Sequence, residues 1–180
     1  MLALVPPTLG LSPGRTAALL AGVTAVLFAL DVVRLRVPRW NRVFFQLLSP
    51  LASPREADAV ASSTWFALAA TLLWGLLPGA PAVAGLLVLG LADPAASVVG
   101  RTWGRRRLGK GTWEGSAAFV SVALVVLSIV VGLPQAIAVA VVAAAAEVIP
   151  SGLDDNLTVP LATAVAVWVL STPPIGGGLG

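Results

Sequence analysis

The sequence predicts an all-α, polytopic transmembrane helical bundle of about six spans plus a short interfacial amphipathic helix, forming one integral membrane domain over residues 1–180. Three observations carry that expectation. First, 58% of the residues are hydrophobic and only 11% charged, with a mean hydropathy of +0.96. A soluble domain carries about 25% charged residues, so this chain cannot cover a surface that faces water on all sides. Second, six apolar stretches approach the roughly 20 residues that a helix needs to cross a bilayer. Third, the charges gather in two of the connections between those stretches.

The spans are expected near 16–33, 61–77, 81–99, 116–131, 134–149 and 157–170. Several are short, and call for a thin membrane or re-entrant ends. Pro78-Gly79 and Gly132-Leu133-Pro134 make tight connections, so consecutive helices are antiparallel neighbours. Between the first two spans, Trp40, Val43, Phe44, Leu47, Leu48 and Leu51 recur at helical spacing, with Arg39, Arg42 and Gln46 on the other side. That pattern predicts a helix near 39–49 lying in the membrane interface, either as a connector or where a lipid substrate is admitted. Residues 1–13 hold three prolines and no cation, which does not fit a cleavable signal peptide.

Charge placement sets the expected topology. Arg34, Arg36, Arg39, Arg42 and Arg55 fall in the first connection, and Arg101, Arg105, Arg106, Arg107 and Lys110 in the third, leaving only Arg15 elsewhere. With six spans both loops share one side, which the positive-inside rule makes cytoplasmic, and both termini then face outward. The eight acids, Asp31, Glu56, Asp58, Asp93, Glu114, Glu147, Asp154 and Asp155, fall at or near that same face. The positive-inside rule says nothing about acids. A polar site at the cytoplasmic membrane surface accounts for both signs of charge.

Composition limits the chemistry. With no Cys there are no disulfides or thiolate ligands, and with no His there is no imidazole base, His-ligated zinc or Ser-His triad. Carboxylates, hydroxyls, Lys, Arg and a bound metal remain. The pI near 11.1 reflects topology, not nucleic acid, because no basic patch is interleaved with aromatics on a soluble domain.

The stretch from Asp93 to Gly115 carries most of the chemical signal. Asp93 interrupts an apolar run, where a carboxylate is costly and seldom idle. Pro94 removes the helical bond to the carbonyl of Gly90, so a carboxylate and a freed carbonyl suggest an oxygen-rich cation site. Gly90, Asp93, Ser97 and Gly100 fall on one helical face; the plainer reading is a packing face with Asp93 paired to Arg101. The loop beyond, with Gly100, Gly104, Gly109, Gly111 and Gly115 among Arg101, Arg105, Arg106, Arg107 and Lys110, suits phosphate oxygens. It is not a Walker A loop, since no Gly-Lys-Ser/Thr follows the required spacing. Arg105, Arg106 and Arg107 serve equally as topology anchors, whereas Lys110, Thr112 and Glu114 point to function.

Glu147 precedes Pro150, and Asp154-Asp155-Asn156 opens the sixth span. One Asp would be explained as an N-cap. Two acids and an Asn, with Glu147 nearby, exceed that need and suggest a divalent cation bridging to phosphate. Pro160 fits the first turn of that helix. Asp31 with Arg34 reads as an ion pair, and Glu56 before Ser62-Ser63-Thr64 reads as a group for a substrate hydroxyl or head group.

These elements, in this order, resemble the CTP-dependent polyprenol, dolichol, phytol and diacylglycerol kinase family of integral membrane proteins. The resemblance runs from about residue 25 to 165. It rests on Asp31-Val-Val-Arg34, on Arg55-Glu56 ahead of Ser63-Thr64-Trp65-Phe66, and on Asp93-Pro-Ala-Ala-Ser97-Val-Val-Gly100-Arg101 with Gly104. Thr112-Trp-Glu114-Gly115-Ser116 and Glu147 with Asp154-Asp155-Asn156-Leu-Thr158-Val-Pro160 complete it. It implies phosphoryl transfer from CTP to the hydroxyl of a membrane lipid alcohol, with Mg²⁺ or another divalent cation. Carried onto this chain, Asp93, Asp155, Glu114 and Glu147 are the catalytic candidates, and Asp93, Asp154 and Asp155 the metal candidates. Gly100, Arg101, Gly104, Lys110, Thr112 and Asn156 fall to the nucleotide, and Glu56 and Asp31 to the substrate.

Two departures stand out. Family members usually begin with a further helix bearing an Arg-Lys-x-x-His type motif, which this His-free chain lacks, so it reads as a shortened or divergent member. The family's Lys directly before the Ser/Thr-x-Glu-Gly element is replaced by Gly111, with Lys110 one residue earlier. A cytidylyltransferase making a CDP-lipid needs the same metal–phosphate site. A transporter or channel needs polar groups across the bilayer, against which one-sided acids argue, as they do against a purely structural scaffold.

Overall fold

A computed structural model describes residues 9–48, 54–150 and 152–172. The helices are α1 (Pro13–Arg36), α2 (Pro38–Leu48), α3 (Ser62–Leu76), α4 (Ala80–Trp103), α5 (Trp113–Val131), α6 (Leu133–Val148) and α7 (Asp155–Ser171), with a 3₁₀ turn at Pro54–Ala57. Six of them overlap the six expected spans and α2 overlaps the expected interfacial helix. Beyond the all-helical expectation, the structure has a small antiparallel hairpin of β1 (Arg107–Leu108) and β2 (Gly111–Thr112), with Arg107 opposite Thr112.

The ends follow local chemistry. Ser12 caps α1 by accepting the Arg15 N–H at 3.4 Å, and Pro13 opens its first turn. Val37 is extended, as the residue before a proline prefers, so α1 stops and α2 restarts at Pro38. Thr112 caps α5 through the Gly115 N–H at 3.1 Å, and Asp154 caps α7 through the Asn156 N–H at 2.9 Å. Pro160, expected in the first turn of the last span, is the sixth residue of α7 and lies in the helix interior. It therefore removes the bond to the Asn156 carbonyl, as Pro94 does to the Gly90 carbonyl in α4.

α4, α5, α6 and α7 form a closed ring in which each packs on the next and α7 returns to α4. α3 lies against α7, α1 against α3, and α2 against α1. The ring is filled by Phe119, Leu127, Val88, Val139, Val159 and Val167, spaced by alanines such as Ala84, Ala92, Ala123, Ala140 and Ala143. Small residues at the contacts are how membrane helices gain close packing without a hydrophobic drive between them. A second cluster of Leu20, Leu73, Trp74, Leu86 and Ala164 joins α1 and α3 to the ring.

One crossing is unusually tight. A Cβ on Gly85 of α4 would lie 2.5 Å from the Pro160 carbonyl oxygen of α7. Gly85→Ala is expected to cost roughly 1–3 kcal/mol, as overpacking does. The readout is a lowered Tm in detergent; an unchanged Tm would contradict the crossing. Gly90, in contrast, meets nothing within 4 Å and is exposed, so the expected packing face of Gly90, Asp93, Ser97 and Gly100 is not continuous.

The architecture is that of a helical membrane protein. Among the described residues, α1, α4 and α5 are long and apolar enough to cross a bilayer. α3, α6 and α7 are apolar but only 15, 16 and 17 residues long. Large side chains point outward along the bundle, including Phe28, Val125, Ile129 and Val141. α2 has no buried residue and leaves Trp40 and Leu47 exposed, as an interfacial helix does. Leu51, expected to extend that face, lies outside the described residues.

Candidate active site

The C-terminal ends of α4 and α6, the hairpin, and the N-terminal ends of α5 and α7 meet at one end of the ring. A cavity of about 280 Å³ lies between them. α4 contributes Asp93, Ser97, Gly100 and Arg101; the hairpin contributes Arg107, Lys110, Gly111 and Thr112; Gly115, Glu147 and Asp155 close it from α5, α6 and α7. An antiparallel ring brings these segments together because every second loop lies at the same end.

Charge of both signs converges here. Lys110 Nζ donates to Asp155 Oδ1 in an ion pair between residues 45 apart in sequence. Asp93, half-buried, lies within electrostatic reach of Asp155, Asp154 and Lys110, and Glu147 within reach of Asp93, Asp155 and Lys110. Glu147 Oε2 accepts the Ser116 hydroxyl at 3.5 Å. Arg101 and Arg107 supply the other cations of the lining, the former donating its Nε–H to the Ser97 carbonyl at 3.1 Å.

A second cavity, of about 200 Å³, adjoins the first. It is lined by Glu56, Ser62, Asp93, Asp154, Asp155 and Asn156. Asp93 and Asp155 therefore form the wall common to a cationic cavity and an acidic one. Among the described residues, no group of three or more acids is arranged to hold a metal ion by itself. Asp154 Oδ1 is engaged by both the backbone N–H and the side-chain amide of Asn156, at 2.9 and 2.7 Å.

The expected site residues thus separate. Asp93, Gly100, Arg101, Lys110, Thr112, Glu147 and Asp155 line the first cavity, and Glu56, Asp154 and Asn156 the second. Glu114 lies apart, lining a different depression with Arg106 and Trp113 and accepting the Arg105 N–H at 3.1 Å. Gly104 is outside both cavities, where a Cβ would collide with the Gly100 carbonyl and the Thr112 side chain. Asp31 is buried away from them. Its Oδ1 accepts Arg34 Nε at 2.6 Å, and its Oδ2 accepts the Ala61 N–H at 3.0 Å and the Thr64 hydroxyl at 2.6 Å. Glu56 also serves structure, accepting the Ser62 N–H at 3.2 Å at the start of α3.

Several glycines of the loop have packing reasons. A Cβ on Gly115 would sit 3.0 Å from the Ala96 carbonyl, and one on Gly100 would sit 3.0 Å from Thr112 Oγ1, so both let α4 and α5 cross closely. Gly109, with φ +53°, lets the hairpin tip rest on the Val148 carbonyl at the end of α6. That contact is what turns Lys110 toward α7. In the sequence Arg107 is one of three equivalent arginines and Ser116 the last residue of a motif. Three consecutive arginines offer no local reason to prefer Arg107; the hairpin register selects it.

No family model and no solved structure matches the chain. Among curated proteins it is similar to a phytol kinase of Synechocystis sp., 35% identical over 48% of this chain and 43% of that protein. It is also similar to CTP-dependent diacylglycerol kinase 1 of Schizosaccharomyces pombe, 30% identical over 43% of this chain and 36% of that protein. The chain spans less than half the length of these relatives.

Proposed function

We propose that this chain is an integral membrane lipid kinase that moves the γ-phosphoryl group of CTP to the hydroxyl of a lipid alcohol of the polyprenol, phytol or diacylglycerol type. The observation that carries the reading is the wall of Asp93 and Asp155 between a cavity bearing Arg101, Arg107 and Lys110 and one bearing further acids. The names of the two relatives support the lipid acceptor, and that of the second supports CTP as donor.

Phosphoryl transfer asks a protein mainly for positioning and charge neutralisation. Lys110, Arg101 and Arg107 neutralise the triphosphate, with Gly100, Thr112 and Asn156 near it. The alcohol oxygen forms a bond to the γ-phosphorus, the bond from that phosphorus to the β–γ bridging oxygen breaks, CDP leaves, and the alcohol proton passes to a carboxylate. A divalent cation fits the all-oxygen donor set, and Asp93, Asp154 and Asp155 are the residues that would hold Mg²⁺. Magnesium is commonly held by one or two carboxylates plus substrate phosphates. Such an ion would supply charge neutralisation to the triphosphate.

All six apolar helices cross the membrane in this reading, the three short ones spanning a thinned region, with the site at the cytoplasmic face and both termini opposite. The test is to incubate the purified protein in nanodiscs with γ-labelled CTP, Mg²⁺ and diacylglycerol, phytol or a polyprenol. Labelled lipid phosphate and CDP are expected. No labelled lipid from any acceptor overturns the reading, and release of pyrophosphate with a CDP-lipid replaces it by nucleotidyl transfer.

A further inference from the structure

An apolar groove of about 630 Å³ runs between α5 and α6 on the outer face of the ring. Ala117 and Ser121 from α5 and Ala144 and Ala145 from α6 leave room between the larger Val120, Val148 and Ile149, and Leu108 of the hairpin and Trp113 at the start of α5 border its end. Farther along the same helices, exposed Val125, Ile129 and Val141 project instead. The groove also reaches Ser116, whose hydroxyl donates to Glu147, and Glu147 lines the cationic cavity. The Ser116–Glu147 pair is therefore the partition between a furrow facing lipid and the polar site. Gly111 lies beside that carboxylate, the position of a Cβ there being 3.4 Å from Glu147 Oε1.

We infer that the hydrocarbon tail of the lipid alcohol lies in the α5–α6 groove and that its hydroxyl is received at Ser116 and Glu147. This rests on the kinase reading and names its acceptor side. Ser116 on the groove side is hydrogen-bonded to Glu147 on the cavity side, and that link across the partition commits the groove to the tail of a substrate whose hydroxyl meets the pair. The acidic cavity beside Glu56 is lined by four carboxylates, with Ala59 and Val60 as its apolar lining. Glu147 takes the alcohol proton as the alcohol oxygen bonds to the γ-phosphorus and CDP departs. Ser116 is a positioning residue that orients the carboxylate and the incoming hydroxyl.

Filling the groove tests this. Ala145→Trp and Ala117→Leu are expected to lower kcat/KM for dioleoylglycerol or phytol about tenfold, leaving KM for CTP and Tm unchanged. Val141→Trp, beyond the groove, is expected to leave all of them unchanged. Ser116→Ala is expected to lower kcat about fivefold, the worth of one hydrogen bond, with KM for CTP unchanged and activity restored by Ser116→Thr. In parallel, diazirine derivatives of diacylglycerol and phytol are photolysed with wild-type protein in nanodiscs. Labels on α5 and α6 near Ala117 and Ala145, competed by the parent alcohol but not by phosphatidylcholine, are expected from at least one probe. Labels confined to α1 or α3, or competition by phosphatidylcholine alone, overturn the inference.

The two readings fail separately. A wild type that turns over while the filled variants behave like it defeats the groove and leaves the kinase standing. A wild type that phosphorylates no lipid defeats the kinase, and the labelling pattern, which needs no turnover, still judges the groove.

Discussion

Asp93→Asn is expected to give a protein that unfolds at a higher temperature than wild type and transfers phosphate about a thousandfold more slowly. Asp93 makes no hydrogen bond or ion pair among the described residues, yet it is half-buried in α4 and feels the charges of Asp154 and Asp155. No hydrogen-bond donor repays its desolvation, and two acids oppose the attraction of Lys110, so removing the charge relieves repulsion and stabilises the bundle by a few degrees in Tm. The same change removes the carboxylate that stands at both cavities. A rise in stability with loss of rate is what separates a functional acid from a structural one. Thermal unfolding and lipid phosphorylation, measured on one preparation, check it. A wild-type rate would take Asp93 out of the site, and a lower Tm would mean that the fold depends on its charge.

Asp31→Ala is expected to do the reverse, costing roughly 3–5 kcal/mol because it strands a buried guanidinium. Asp31 and Arg34 are 3% and 4% exposed, and Arg34 holds the chain between α1 and α3 by donating to the Glu56 and Ala59 carbonyls at 2.6 and 2.7 Å. Arg34 also donates to Asn41 Oδ1 at 3.1 Å and lies over the Phe44 ring, 4.4 Å from its centroid, which seats α2. Without Asp31 the guanidinium loses its counter-charge, and the Ala61 N–H and Thr64 hydroxyl lose their acceptor. Poor yield and a Tm lowered by many degrees in detergent are the expected results. Whatever protein survives should keep its KM for CTP. A stable Asp31→Ala protein with selectively lost activity would return Asp31 to the substrate side, where its sequence context first put it.

The contrast between these two acids marks how far the chain could be read unaided. Both are aspartates near the end of an apolar helix, and both stand in motifs of the family that the sequence resembles. Only the surroundings differ: three donors converge on Asp31 and none on Asp93. Glu114 reads like Glu147 in sequence, but its carboxylate is taken by the loop before α5, whereas Glu147 stands between the groove and the cavity. The glycines from Gly100 to Gly115 look like a phosphate loop, yet Gly109 and Gly115 are needed where backbone meets backbone.

Apolar length and period determined the helices and their antiparallel order, because transfer from water to lipid and helical hydrogen bonding are summed along neighbouring residues. The same local sums put nearly all the cations and the acids at one end. Tertiary structure alone decided which of those charges meet. Lys110 meets Asp155 where Gly109 seats the hairpin on α6, and Asp93 meets Asp155 at the cavity wall between α4 and α7, helices that Gly85 lets cross closely. Those encounters depend on the register between helices, which is set by packing among residues far apart in the chain and leaves no periodic trace in it.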